Sequence, residues 1–139
     1  MTSLYIGVRG IWSLICATCH RRLRRLQDEN IISRYVALLN PSKVGIDVVA
    51  FVSITIGRDQ YRRLKEFEKT IVEFPEVLEC YLATGDYDYM LKVVAPDLQT
   101  FSSFLTKKLM QAPGIIRVKS AVTLSEVKYT TALPIDSVR

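Results

Sequence analysis

Between Asp47 and Val127 the apolar residues recur with two different periods, and the periods take turns along the chain. From Asp47 to Ile56, Val48, Ala50, Val52, Ile54 and Ile56 alternate with Val49, Phe51, Ser53 and Thr55. A period of two predicts a strand. From Asp59 to Phe74 the period lengthens. Tyr61, Leu64, Phe67, Ile71 and Phe74 fall on one stripe with charges opposite, which predicts a helix that Pro75 closes. Glu76–Thr84 and Asp88–Ala95 return to strand character. Between them Gly85, Asp86 and Tyr87 predict a short turn, with Gly85 free to take a positive φ. Pro96–Met110 predicts a second helix, with Asp97 as N-cap and Leu98, Phe101, Leu105 and Leu109 as its apolar stripe. Ala112–Gly114 breaks it, and Ile115–Val127 predicts a long last strand.

The order is β-α-β-β-α-β, with Pro75 and Pro113 ending corresponding helices in the two halves. It predicts an α+β, ferredoxin-like sandwich: an antiparallel sheet covered on one face by two helices. The strands are apolar on both faces. Phe51 and Val49 oppose Val52 and Ile54. In the last strand Ile116, Val118, Val122 and Leu124 oppose Ile115, Ala121, Thr123 and Val127, while Arg117 and Lys119 mark an exposed part. Two helices leave one apolar face uncovered, and such a patch is usually an interface. The expectation is a homodimer formed by packing sheet on sheet.

The 139 residues carry a formal charge of +5. That balance suits a polyanionic partner without requiring one. Three cysteines form no paired framework, which fits a reducing cytoplasm. Leu4–Cys19 is apolar, but it lacks a charged leading segment, and Gly7, Arg9 and Gly10 interrupt it. It is also shorter than the roughly 20 residues of a membrane span. A packed N-terminal segment with no membrane role is expected. Cys16-Ala17-Thr18-Cys19-His20 has the spelling of a haem attachment box, yet His20 is the only histidine, so no second imidazole is available within the chain. No cofactor, no metal site and no enzyme activity are expected: no Ser/His/Asp set, paired His/Cys ligands or phosphate loop is present.

Several separate motifs then carry a resemblance. The stretch VLECYLATGDYDYMLKVVAPDLQTF (Val77–Phe101), the Pro113-Gly114 break and the closing SEVKYTTALPI (Ser125–Ile135) resemble the effector-sensing domain of the leucine-responsive, Lrp/AsnC family of transcriptional regulators. Upstream, RRLRRLQDENIISRYVALLNPSKVG (Arg21–Gly45) resembles the end of that family's DNA-recognition helix and its linker strand. The resemblance implies three regions. Residues 1–33 are an atypical N-terminal segment with a partial helix-turn-helix and a recognition helix at about 19–30. Residues 34–46 are a linker strand and turn, and residues 47–139 sense the ligand and form the oligomer.

The resemblance also assigns roles. His20, Arg21, Arg22, Arg24 and Arg25 would contact DNA, with Leu23 and Leu26 facing inward. Only Met1–Thr18 precede that helix, without an amphipathic helix pair, so DNA binding is expected to be weak. A solvated basic face with no partner is the other reading of the arginines. The implied effector is a small molecule, usually an amino acid. Asp86 and Asp88 would accept its ammonium, and the N–H groups of Gly85 and Tyr87 would donate to its carboxylate. Leu82, Thr84, Leu98, Ala121, Val122 and Thr123 would shape the pocket and the contact with a neighbouring dimer. Alternatively, the two aspartates simply make the turn. The implied partners are DNA, the effector and a homodimer that assembles into an octamer. The alternative is a sensor-only oligomerisation module that joins a full-length paralogue and binds no DNA itself.

Overall fold

The computed structural model describes residues 17–135. Leu39–Ser125 form one compact unit, and residues 17–38 with 126–135 belong to another. The expected sensing region, 47–139, thus compares with a compact unit that starts earlier and ends at Ser125.

In that unit β1 (Val48–Ile56) is followed by α2 (Leu64–Val72), β2 (Val77–Leu82), β3 (Tyr89–Ala95), α3 (Leu98–Lys107) and β4 (Ile115–Val122). The sheet order is β2-β3-β1-β4, and every pairing is antiparallel. This is the expected ferredoxin-like arrangement. The core follows the alternation. Val48, Ala50, Val52, Ile54 and Ile56 are buried, as are Tyr89, Leu91, Val93 and Ala95, and they pack with Phe67, Ile71, Phe101, Phe104 and Leu109. Phe67 lies 4.7 Å from the Tyr89 ring, and Phe74 meets Phe104 edge to face at 5.6 Å. The second contact ties the end of α2 to α3.

The elements differ from expectation mainly at their ends. The first helix begins with a 3-10 stretch, Arg58–Arg63, and turns α-helical only at Leu64, where Arg63 supplies no side-chain cap. Leu98 lies in the expected stripe of α3 but is 61% exposed, because burial starts a turn later, at Phe101 and Phe104. The last strand stops at Val122. There Thr123 sends its N–H and its hydroxyl to the Val49 carbonyl, both at 2.9 Å, and β1 has almost no residues left to pair. A bulge between Thr55 and Ile56 makes the register skip Ile116, which is exposed. Val118 and Val122 therefore lie opposite Ile54 and Ala50, while Arg117, Lys119 and Ala121 lie opposite Thr55, Ser53 and Phe51.

In the other unit α1 (Ala17–Asp28) ends with Asn30 at φ 56°, and Ile31 N–H reaches back to the Leu26 carbonyl. Asn tolerates that left-handed stop. The expected linker strand at 34–46 is not a paired strand: the chain runs to Asn40 without regular structure, and Pro41–Val44 form a 3-10 turn. An extended segment becomes a strand only beside another, and no described segment pairs with this one. The signal or anchor reading of Leu4–Cys19 and the haem reading of Cys16 fall largely or wholly outside the described residues. Among the described residues no helix is long and apolar enough to cross a membrane, and no group of three metal-binding side chains occurs.

Candidate functional site

The turn between β2 and β3 is built from the backbone outward. Ala83 N–H donates to the Asp88 carbonyl at 2.9 Å, which closes a six-residue connection between the paired Leu82 and Tyr89. Gly85 takes φ 121°, a conformation that a side chain would strain. Asp88 then anchors the turn to β1. Its N–H donates to the Ile54 carbonyl at 2.8 Å, and its Oδ2 accepts from Ile56 N–H at 2.7 Å. That carboxylate oxygen satisfies a strand-end amide just past Ile54–Tyr89, the last pair between β1 and β3. Sequence spacing could not show this, because the partners lie 32 residues apart. Asp86 and Thr84 are exposed, and Tyr87 is half-buried.

Beside this turn a small notch opens on the uncovered sheet face. Its walls are Ser53, Thr55, Asp86, Tyr87, Arg117 and Lys119, and its volume is about 30 Å³. Arg117 and Lys119 were legible only as an exposed stretch. Register places them here, across from Thr55 and Ser53.

The ten candidate effector residues do not converge within one chain. Leu82, Thr84, Gly85, Asp86, Tyr87 and Asp88 lie at the end of the sheet where Tyr89 pairs with Ile54. Ala121, Val122 and Thr123 lie at the other end, where Val122 pairs with Ala50. Leu98 follows Ala95, which pairs with Val48, so it belongs to that second end as well. Four to six strand residues separate the anchor pairs, Ile54 from Ala50 and Val48, about 13–20 Å at the usual rise.

The basic helix stands apart in chemistry. Arg21, Arg22, Arg24 and Arg25 are exposed and span about 160° of helix surface, and Cys19, Leu23 and Leu26, all half-buried, occupy the opposite arc. Arg25 pairs with Glu29 at 2.8 Å. His20, Leu23, Arg24 and Gln27 line a cleft of about 300 Å³ with Tyr35. Cys19 is a free thiol.

The frame is thus a four-stranded antiparallel sheet with two helices on one face and an anchored polar turn beside the other. Residues 49–133 match the family model described as the Lrp/AsnC ligand binding domain. The chain belongs to the Lrp/AsnC family of transcriptional regulators. It is 35% identical over 124 residues to the DNA-binding transcriptional activator DecR of Escherichia coli strain K12, covering 89% of this chain and 82% of the relative. Its identity to the Bkd operon transcriptional regulator of Pseudomonas aeruginosa is 39% over 115 residues, covering 83% and 75%. Among solved structures, a transcriptional regulator of Neisseria meningitidis in complex with L-methionine superposes with a TM-score of 0.83 at 33% identity, covering 88% of this chain and 79% of the other. The relatives are regulators of transcription and not enzymes, in keeping with the expectation from the sequence.

Proposed function

We propose that this protein is an amino-acid-responsive transcription regulator that senses its effector at the turn after β2 and touches DNA through α1. The observation that supports the effector class is the L-methionine held by the Neisseria relative, at 33% identity over most of both chains. The separation of Leu98 and Ala121–Thr123 from the turn has a simple consequence. If both groups serve one pocket, two copies of the chain build it, each giving one end of its sheet. The regions follow the same division of labour, with residues 1–33 for DNA, 34–46 as connection and 47–139 for sensing and assembly. The uncovered sheet face carries the dimer, and further association of dimers gives the octamer.

Calorimetric titration of the full chain with a panel of amino acids tests the sensing half. Saturable binding of at least one is expected, and a flat response across the panel overturns it. The DNA half is tested by fluorescence anisotropy on duplex DNA at rising salt. Neutralising about four phosphates through Arg21, Arg22, Arg24 and Arg25 gives a log–log salt slope of about −3.6, and each Arg→Gln change reduces it by roughly one. No binding at low salt favours the sensor-only module instead.

A further inference from the structure

The notch on the open sheet face has an unbalanced charge. Arg117 and Lys119 stand two residues apart on β4 and share its open face, with Cα atoms about 7 Å apart. Asp86 is the only carboxylate in the lining. Among the described residues no ion pair engages Arg117, Lys119 or Asp86. The other charges on that face are matched: Lys92 binds Glu79 at 3.2 Å, and Glu79 also accepts from the Tyr81 hydroxyl at 3.0 Å. The notch therefore holds two cations against one anion, with Ser53, whose hydroxyl donates to the Lys119 carbonyl at 3.4 Å, and Thr55 also in its walls. If a second copy covers the open face, the surplus cation loses water, and an uncompensated charge there is costly.

Charge balance then selects a ligand class. A neutral amino acid brings one ammonium and one carboxylate and leaves a cation unmatched. An amino acid with two carboxylates brings the missing charge. We propose that the notch reads net charge and selects an acidic amino acid, with Asp86 taking its ammonium and Arg117 and Lys119 its two carboxylates. This rests on the effector reading above and narrows it. At about 30 Å³ the notch has room for a single head group, so the rest of the ligand lies across its mouth, against the exposed Arg117, Lys119 and Asp86 at its rim.

The test is calorimetric titration of the full chain with L-glutamate, L-aspartate, L-glutamine, L-asparagine and L-methionine. One acid is expected to bind at least tenfold tighter than its amide, because the amide forfeits a charge-assisted contact. Arg117→Gln and Lys119→Gln should each weaken acid binding by about tenfold or more and narrow the acid-to-amide ratio. Their melting temperatures should stay near the parent's, since both side chains are exposed. An amide or methionine that binds as tightly as the acids overturns the inference and leaves the effector reading standing. Failure of both acids to bind overturns the inference, and a flat response across the full amino-acid panel overturns the effector reading with it. Sedimentation of the same variants covers the remaining source of an anion. If Arg117→Gln shifts the oligomeric state and leaves acid binding unchanged, the cations face a carboxylate of a second copy, and the inference falls.

Discussion

At the residue scale, Asp88 shows how one carboxylate can serve the fold inside a candidate ligand loop. Its Oδ2 takes the Ile56 N–H at 2.7 Å, so the side chain links the turn to the strand beneath it. Asp88→Ala leaves that amide without its acceptor. A hydrogen bond to a charged group contributes about 1.5–3 kcal/mol, and the half-buried position places this one toward the lower end. Asp88→Asn keeps an acceptor and should cost less. Chemical denaturation of both variants checks the order, and equal stability of Asp88→Ala and the parent would show the bond to be idle. Of the two aspartates expected to accept an ammonium, Asp88 thus has one oxygen engaged by the fold, while Asp86 is exposed and lines the notch. Asp97 is the contrasting case. Its cap on the Thr100 N–H, at 2.7 Å, was legible directly, because capping depends on three residues of local sequence. The bond from Asp88 depends on the packing of distant segments, and no local pattern announces it.

At the scale of elements, α3 and the start of β2 are tied by charge. Lys108, just past α3, donates to Glu76, just before β2. Burial alone pushes the Glu76 carboxyl up, but the Lys108 hydrogen bond, a backbone hydrogen bond and the Lys108 charge together bring it below the ordinary value of 4.5. The folded protein thus binds this proton less readily than the unfolded chain. The pair's contribution is complete above the ordinary glutamate range and is lost as pH falls through the lowered folded value. Glu76→Gln removes that contribution. Its stability deficit relative to the parent should be full near about pH 7 and shrink as the medium is acidified below about pH 4.5. Denaturant titrations at several pH values check this, and a deficit that does not change with pH would assign it to packing. Core strands and helices were readable for a related reason: period two and period 3.6 record which face each element buries, as Val52, Ile54, Phe67 and Phe101 show. Register was not readable. The bulge that skips Ile116 decides that Arg117 and Lys119 meet Thr55 and Ser53, and nothing in the strand's composition fixes it. The same register separates Ala121–Thr123 from the turn, so a residue set that looked like one pocket occupies two ends of a sheet.

At the scale of the whole molecule, the uncovered sheet face is the feature a single chain leaves unresolved. Phe51 is 43% exposed at the middle of β1, with Val49, Met90 and Val94 half-buried around it on the same face. Lys92 sits opposite Phe51 but is neutralised by Glu79, so the middle of the face offers apolar surface without a free charge. A second copy presents the same patch, and a two-fold axis lets the two cover each other. Phe51→Glu places an unpartnered carboxylate at the centre of that contact. Truncated or unmatched charges in interfaces cost about 2–5 kcal/mol, or roughly thirtyfold to a few thousandfold in the dimer constant. The fold itself should survive, because Phe51 points away from the core formed by Ala50, Val52 and Ile54. Sedimentation equilibrium should therefore show an oligomer for the parent in the micromolar range and a smaller species for Phe51→Glu, with matching far-UV circular dichroism. If the effector pocket draws on two copies, the same substitution should also abolish amino-acid binding while Asp86, Arg117 and Lys119 remain intact. Retained binding by a monomeric Phe51→Glu protein would place the whole site within one chain and disprove the shared pocket.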